Sequence, residues 1–372
     1  MRGKGQPRIL LIEFLVLSAA VLLLPLVIND AYLLNKVDRY LIFAILSVSL
    51  SLSWGYAGIL NLGQAASFGL GSYCMAMALK LAASPGLPDF MQWNNVKALP
   101  WFWLPFHSVT FAIFAGIALP VAVSFLVGWF VFRARVTGVY VAIITLAMLV
   151  VINLLIIGQQ HYTGGFNGLT NLAEFVVLGV TFDPYSLATY YLVAVSLIAA
   201  LLIGLFVIRS KAGLIMQAIR DDESRVRYFG YDVASYQNFA FCLSAAIAGF
   251  AGVLYTLVME FASPTFLDVD ISLSIVIWCA VGGRSSLVGA ALGAILVTAV
   301  QGSLSNTPAF LSTWMLIMGA IFVIVVLALP NGLISLVDHA IMRLTGARLP
   351  RSNGRLSIAS ARTKKGMGGG AA

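Results

Sequence analysis

Charge is what this sequence is shortest of. Only 10% of its 372 residues are Asp, Glu, Lys or Arg, against 60% apolar, and the mean hydropathy is +0.97. A soluble domain carries about 25% charged and 45–50% apolar residues. A chain so poor in charge cannot cover a water-facing surface, which excludes the soluble globular classes and leaves a polytopic membrane protein. Cysteine is scarce too. Cys74, Cys242 and Cys279 each lie in apolar runs, with neither disulfide nor metal-ligand spacing, and read as small packing residues. The three histidines, His107, His161 and His339, are scattered and frame no metal site. No HExxH, nucleophile elbow or GxxxxGK[ST] occurs, so an enzyme reading has no foothold and the chain carries no ATP site of its own.

What is present is apolar length. Ten runs are long enough to be candidate spans, at roughly 9–28, 40–59, 62–82, 109–132, 137–158, 187–208, 236–258, 268–283, 286–304 and 311–329. The eighth and ninth flank Gly282-Gly283-Arg284 and read either as two short spans or as a broken, partly re-entrant pair. Ile9 to Ile28 follows a basic start, but it is long for a signal sequence and lacks a small-x-small cleavage site, so a retained first helix is expected.

Basic residues orient this arrangement. With a cytoplasmic N-terminus, eighteen of the 22 Lys and Arg residues fall on the cytoplasmic side and only Lys36, Arg39, Lys80 and Lys97 outside. The formal net charge of +8 therefore marks the inner face and needs no nucleic acid. The expected fold is an all-α polytopic membrane protein of about ten transmembrane helices with both termini cytoplasmic. Residues 1–8 form a short N-terminus, 9–335 the transmembrane domain, and 336–372 a basic tail expected to be disordered beside anionic lipid. Loop 83–108, with Pro85, Pro88, Pro100 and Pro105 among Trp93, Trp101 and Trp103, is expected outside as an interfacial lid. Loop 159–186 has no Lys or Arg and combines a Gly/Asn turn with a short β-prone patch.

Five groups of residues carry candidate chemistry. In 55–71, Gly63, Ser67 and Gly71 fall four apart and share a helix face that lets a neighbour approach. Gly55 and Gly58 precede Asn61 and Gln64, a pattern for a helix break whose amides either line a cavity or bond across helices. Gly289 and Gly293, with Gly249 and Gly252, form a second small-residue seam. Asn153 and Asn167, near the outer end of the fifth span, read as turn and helix-end polar groups, or as uncharged groups lining a path for a neutral solute. Glu13 is close enough to the cytoplasmic end to snorkel, and Glu260 ends the seventh span. Finally, 209–235 is the one long interior island of charge. It reads as an amphipathic helix over about 213–229, with Asp221–Arg225 and Glu223–Arg227 as i, i+4 pairs.

Three stretches, GYAGILNLGQAASFGLGSY, GLIMQAIRDDESRVRYFGYDV and AVGGRSSLVGAALGA, together resemble the LivM-type permeases of branched-chain amino-acid ABC importers. The likeness covers roughly 40–335. Many members read SLGH where this chain has Asn61-Leu62-Gly63-Gln64, and an AIRENE-like core where it has Ala218-Ile219-Arg220-Asp221-Asp222-Glu223. Loop 83–108 and QQHYTGGFNGLTNL look like the urea-transport branch. The resemblance implies a substrate pathway for urea or short amides, with branched-chain amino acids as the alternative and Asn61, Gln64, Ser67, Asn153 and Asn167 as candidate lining. A secondary transporter or channel is a further alternative, but no mid-membrane coupling carboxylate supports it. The implied partners are a second permease of the family, two cytoplasmic ATPases that carry ATP and magnesium, a soluble periplasmic binding protein and the lipid of the inner membrane. The island is then the coupling segment, with Gly213, Ala218, Ile219, Arg220, Asp221, Asp222, Glu223 and Arg227 as its candidate residues.

Overall fold

The computed structural model describes residues 6–28, 30–84, 86–177 and 179–305, with 319, 323, 332 and 333. Among these residues the regular elements are helices and one short hairpin, joined by loops. In order the helices are α1 (Gln6–Leu23), α2 (Ala31–Leu50, continuing as a π-helix over Ser51–Tyr56), α3 (Gln64–Ala83), α4 (Asp89–Trp93), α5 (Val109–Arg133), α6 (Val139–Gly158) and α7 (Gln160–Thr163). They continue as α8 (Leu187–Arg209), α9 (Lys211–Asp221), α10 (Glu223–Tyr228), α11 (Val233–Met259), α12 (Val269–Gly282) and α13 (Leu287–Ser305). The β-prone patch forms antiparallel strands β1 (Phe175–Val177) and β2 (Val180–Phe182), with Phe175 opposite Phe182.

Six of the described helices are long and apolar enough to cross a membrane, and the α12–α13 pair, bent by 118°, is a broken span or a re-entrant loop that brings the count to seven if it is taken as one span. The difference from ten has identifiable sources. The apolar helix in the first run, Leu11–Leu26, is shorter than a full span, the eighth and ninth runs fold as one bent unit, and 311–329 lies outside the described residues. The bend follows from glycine: Gly283 sits at φ 113, and a Cβ on Gly282 would lie 2.0 Å from the Gly289 carbonyl. Gly293 presses on the same turn, with its would-be Cβ 2.4 Å from the Gly282 nitrogen.

The second span starts at Ala31 and not near 40, because the Asp30 side chain caps it through the Tyr32 N–H at 2.9 Å. Neighbours hold Asn35 and Lys36 of this helix, whereas the buried Asp38 leaves Oδ1 without a hydrogen-bond partner. Asn35 donates to the carbonyls of Pro184 (3.0 Å) and Val258 (3.2 Å). Glu13 is 6% exposed, so it is buried in the bundle and does not snorkel.

Helices α3 and α11 form the centre. In α3, 89% of the apolar window is buried, against 28% in α5, whose Phe114, Leu126 and Phe130 face outward as a lipid-covered helix requires. Small residues set the close contacts: a Cβ on Gly71 would lie 2.0 Å from Gly249 O, one on Gly249 2.4 Å from Gly116 O, and one on Gly252 1.9 Å from Phe68 O. Gly249 and Gly252 thus pack on the α3 seam, and Gly289 and Gly293 serve the bend.

Candidate functional site

Contacts sort the loops into two ends. At one end the α2 terminus, the turn after α5, the charged island and the tip of the α12–α13 bend come together. At the other, loop 83–108 joins 159–186. Trp103 Nε1 donates to Tyr162 O at 3.0 Å, and the Phe102 and Tyr162 rings meet edge-on at 5.8 Å. Lys80, only 4% exposed, ties this end down through Asp89 (3.1 Å) and Thr170 O (3.0 Å), while Leu169 and Ala262 form a backbone bridge. Asn167 is exposed here, and Asn153 Oδ1, in α6, is buried with no hydrogen-bond partner.

Between α2 and α3 the chain is unwound over 57–63, running from the exposed Gly58 to the buried Asn61 and Gly63. Asn61 and Gln64 are both 0% exposed. Asn61 Nδ2 donates to Gln64 Oε1 (2.7 Å), and Asn61 Oδ1 accepts from Gly63 N (2.9 Å). Gln64 Nε2 donates to Ser49 Oγ (2.6 Å) and Ser244 Oγ (3.0 Å). Leu62 N donates to Thr145 Oγ1 at 3.0 Å, and Ser272 Oγ donates to Leu62 O. Ser49, Thr145 and Ser244 lie 7, 6 and 11 residues from the near ends of their helices, which places the break about 10–15 Å inside the bundle at 1.5 Å per residue. A Cβ on Gly63 would sit 2.4 Å from Thr145 O, so only glycine fits the turn into α3. Ser67 is buried one helical turn further along.

The break therefore brings two helix starts together. Ala65 N, in the first turn of α3, donates to Ser272 Oγ (3.4 Å) in the first turn of α12. Asp268 caps α12 through the Val269 N–H at 2.9 Å, and Asp268 and Asp270 are exposed beside it. Two helix N-termini thus meet at mid-depth, with Asp268 and Asp270 on the exposed side of the α12 start. The four hydroxyls that hold this arrangement were missed from the sequence. Their signal is small polar residues inside apolar runs.

The island folds as two helices, not as one over 213–229. Asp222 is extended (φ −158, ψ 96), ends α9 and caps α10 through Arg225 N at 3.1 Å. The pairing shifts accordingly. Glu223–Arg227 forms at i, i+4, but Asp221 pairs with Arg220 (2.9 Å) and Arg225 with Asp222 (2.7 Å). Gly213 lets α9 fold back on α8, since a Cβ there would be 2.3 Å from Val207 O. Ile219 and Val226 bury against Val233, while Ala218 is exposed. The outward face carries Leu214, Tyr228 and Phe229, the last two 91% and 80% exposed. Arg220 turns inward: Nη1 donates to Gly55 O at 2.6 Å beside a cleft of about 210 Å³ lined by Gly58, Gly138, Asp222 and Gln237. No group of three or more His, Cys, Asp or Glu residues able to hold a metal occurs among the described residues.

The sequence is similar to known transport proteins. The family described as branched-chain amino acid transport system / permease component matches residues 32–326. The high-affinity branched-chain amino acid transport system permease protein LivM of Escherichia coli (strain K12) is 28% identical over 336 residues, covering 82% of this chain and 71% of that one. LivM of Salmonella typhimurium is 28% identical, covering 79% and 68%. The probable LivM of Methanocaldococcus jannaschii is 26% identical, covering 70% and 77%. No solved structure matches the chain. These relatives are amino-acid permeases by name, so they support the family and leave the expected urea branch unsupported. On the extent of the family match, the chain belongs to the permease components of branched-chain amino-acid transport systems.

Proposed function

We propose that this chain is the membrane-embedded subunit of an ATP-driven importer for branched-chain amino acids in the bacterial inner membrane. It works with a second permease of the family, two cytoplasmic ATPases that bind ATP and magnesium, and a soluble binding protein outside. The observation that carries the solute class is the mid-depth meeting of the α3 and α12 starts, joined through Ala65 and Ser272. Helix N-termini favour a carboxylate, and the exposed Asp268 and Asp270 give an ammonium its counter-charge. A zwitterion needs both. Asn61 and Gln64, with amides bonded internally, shape the break, and Ser67, Asn153 and Asn167 belong to the route. The island is the ATPase-facing segment, with exposed aromatics flanked by charge, the composition of an interface core.

A second reading, urea, draws on the outer cap. The two stretches that look like the urea-transport branch touch each other through Trp103 and Tyr162, so they form one feature and not two coincidences. Uptake by cells expressing the whole transporter separates the readings. Labelled leucine should enter, be competed by isoleucine and be indifferent to excess urea. Saturable urea uptake with no leucine uptake would reverse the assignment. On the amino-acid reading Asp270→Asn should raise the KM for leucine about tenfold, the scale of one lost hydrogen bond to a charged group.

A further inference from the structure

The island has two faces with different work, and the inward one contains a single guanidinium that reaches another span. Arg220 lies in the last turn of α9. Its Nε and Nη2 donate to Asp221 Oδ1 at 3.1 and 2.9 Å, which fixes the plane of the fork. The remaining Nη1 donates to Gly55 O at 2.6 Å. That carbonyl belongs to the end of the second span, where helical carbonyls lack partners and the dipole is negative, so a cation is the favoured donor. The contact is close along its whole length. Gly58, at φ +77, lies against the Arg220 stem, and a Cβ there would be 3.0 Å from Arg220 Cγ.

On its other side Gly55 presses on the bend between α12 and α13. A Cβ on Gly55 would lie 1.7 Å from Arg284 O. Ser51 Oγ donates to Arg284 O (3.0 Å), Tyr56 Oη donates to Ser285 O (2.9 Å), and the Arg284 guanidinium sits 5.5 Å over Trp54. Leu333 N donates to Val281 O (2.8 Å) in the last turn before the same bend. The segment pinned in this way, Ser51–Tyr56, is π-helical. Such turns are rare and their wide backbone bonding concentrates at functional sites. Directly after it comes the unwound run that reaches Leu62, which bonds α6 and α12.

Building on the reading of the island as the ATPase-facing segment, we propose that Arg220 is a positioning residue. It carries displacement of α9 into the π-helical end of α2, and from there into the α12–α13 bend and the mid-depth break. Arg220 does not touch the ATPase or the solute; it joins the segment that is pushed to the spans that move. Tyr228 and Phe229, on the outward face, make the contact with the ATPase.

The test uses the complete transporter in proteoliposomes, with subunit assembly, ATP hydrolysis and labelled leucine uptake measured in parallel. Arg220→Ala should assemble and hydrolyse ATP, but solute moved per ATP should fall about tenfold or more, as expected for a lost hydrogen bond to a charged group. Arg220→Lys, which keeps a donor for Gly55 O without the fork to Asp221, should recover part of that ratio. A role confined to folding would lower yield and leave the ratio unchanged, so the ratio in the Lys variant decides the matter if the Ala variant does not fold. A normal ratio in both variants overturns the proposal. Loss of the ATPases from either also overturns it, by making Arg220 a docking residue, while leaving the island's coupling role intact. The joint replacement Tyr228→Ala, Phe229→Ala tests that role separately: normal assembly and uptake in it would remove the coupling role itself.

Discussion

Gln64 reaches Asn61, Ser49 and Ser244 from one buried amide. Gln64→Leu keeps the volume and strands those partners, each at about 1–3 kcal/mol in a site closed to water. The melting temperature of the purified protein in detergent should drop by more than that of Asn167→Leu, a change on the exposed outer turn. Gly71→Ala places a methyl against Gly249 O and should cost about 1–3 kcal/mol by overpacking, read in the same assay. Glu260 gives a pH signature. Burial, then the carboxylates of Asp183 and Glu174, hold its pKa above the ordinary carboxylate value. The charged form is thus disfavoured in the folded protein: the stability it contributes is present below the ordinary value and is lost as pH rises through the raised one. Glu260→Gln should remove that loss, so its melting temperature should exceed that of the parent at pH 7 and match it near pH 4. The opposite order would mean that Glu260 has an unrecognised cation beside it.

Elements were legible where one property decided them. A run of twenty apolar residues announces a span whatever its neighbours do, and α5, α6, α8 and α11 fall where such runs predict. The sequence puts the start of the second span too late because Asn35, Lys36, Asp38 and Arg39 interrupt its run; Asn35 is held by the carbonyls of Pro184 and Val258 and Lys36 by that of Gly302, all remote in sequence. In the sequence the island reads as one helix because Asp221–Arg225 and Glu223–Arg227 fit a continuous helix well. The overriding feature is a capping Asp at 222, a signal that Asp-Asp-Glu carries. Asp222→Ala should therefore loosen α10 by about 0.5–2 kcal/mol. Faster hydrogen exchange over 223–228, with 211–221 unchanged, is the expected readout. The mid-depth break was legible only as glycines and amides. Its depth depends on Ser49, Thr145, Ser244 and Ser272, which meet through four other helices.

At the scale of the whole molecule, the architecture is a bundle with a worked end and a capped end, joined by α3 and α11 through the centre. The capped end anchors loops through Lys80 and Trp103; the worked end holds the island against α2 and the bend. On the basic-residue count we propose that the worked end faces the cytoplasm. Cysteines introduced singly at Ser224 and His161 should show this in intact spheroplasts, with only the latter modified by an impermeant maleimide. The family is established by the match over 32–326; the engine and the cargo are the proposal. Both are tested together by leucine uptake into proteoliposomes that contain the permeases, the ATPases and the binding protein. Uptake should require hydrolysable ATP on the island's side and stop with a non-hydrolysable analogue. Equal uptake with the analogue, or with no nucleotide, would contradict the account and leave a channel or secondary transporter in its place.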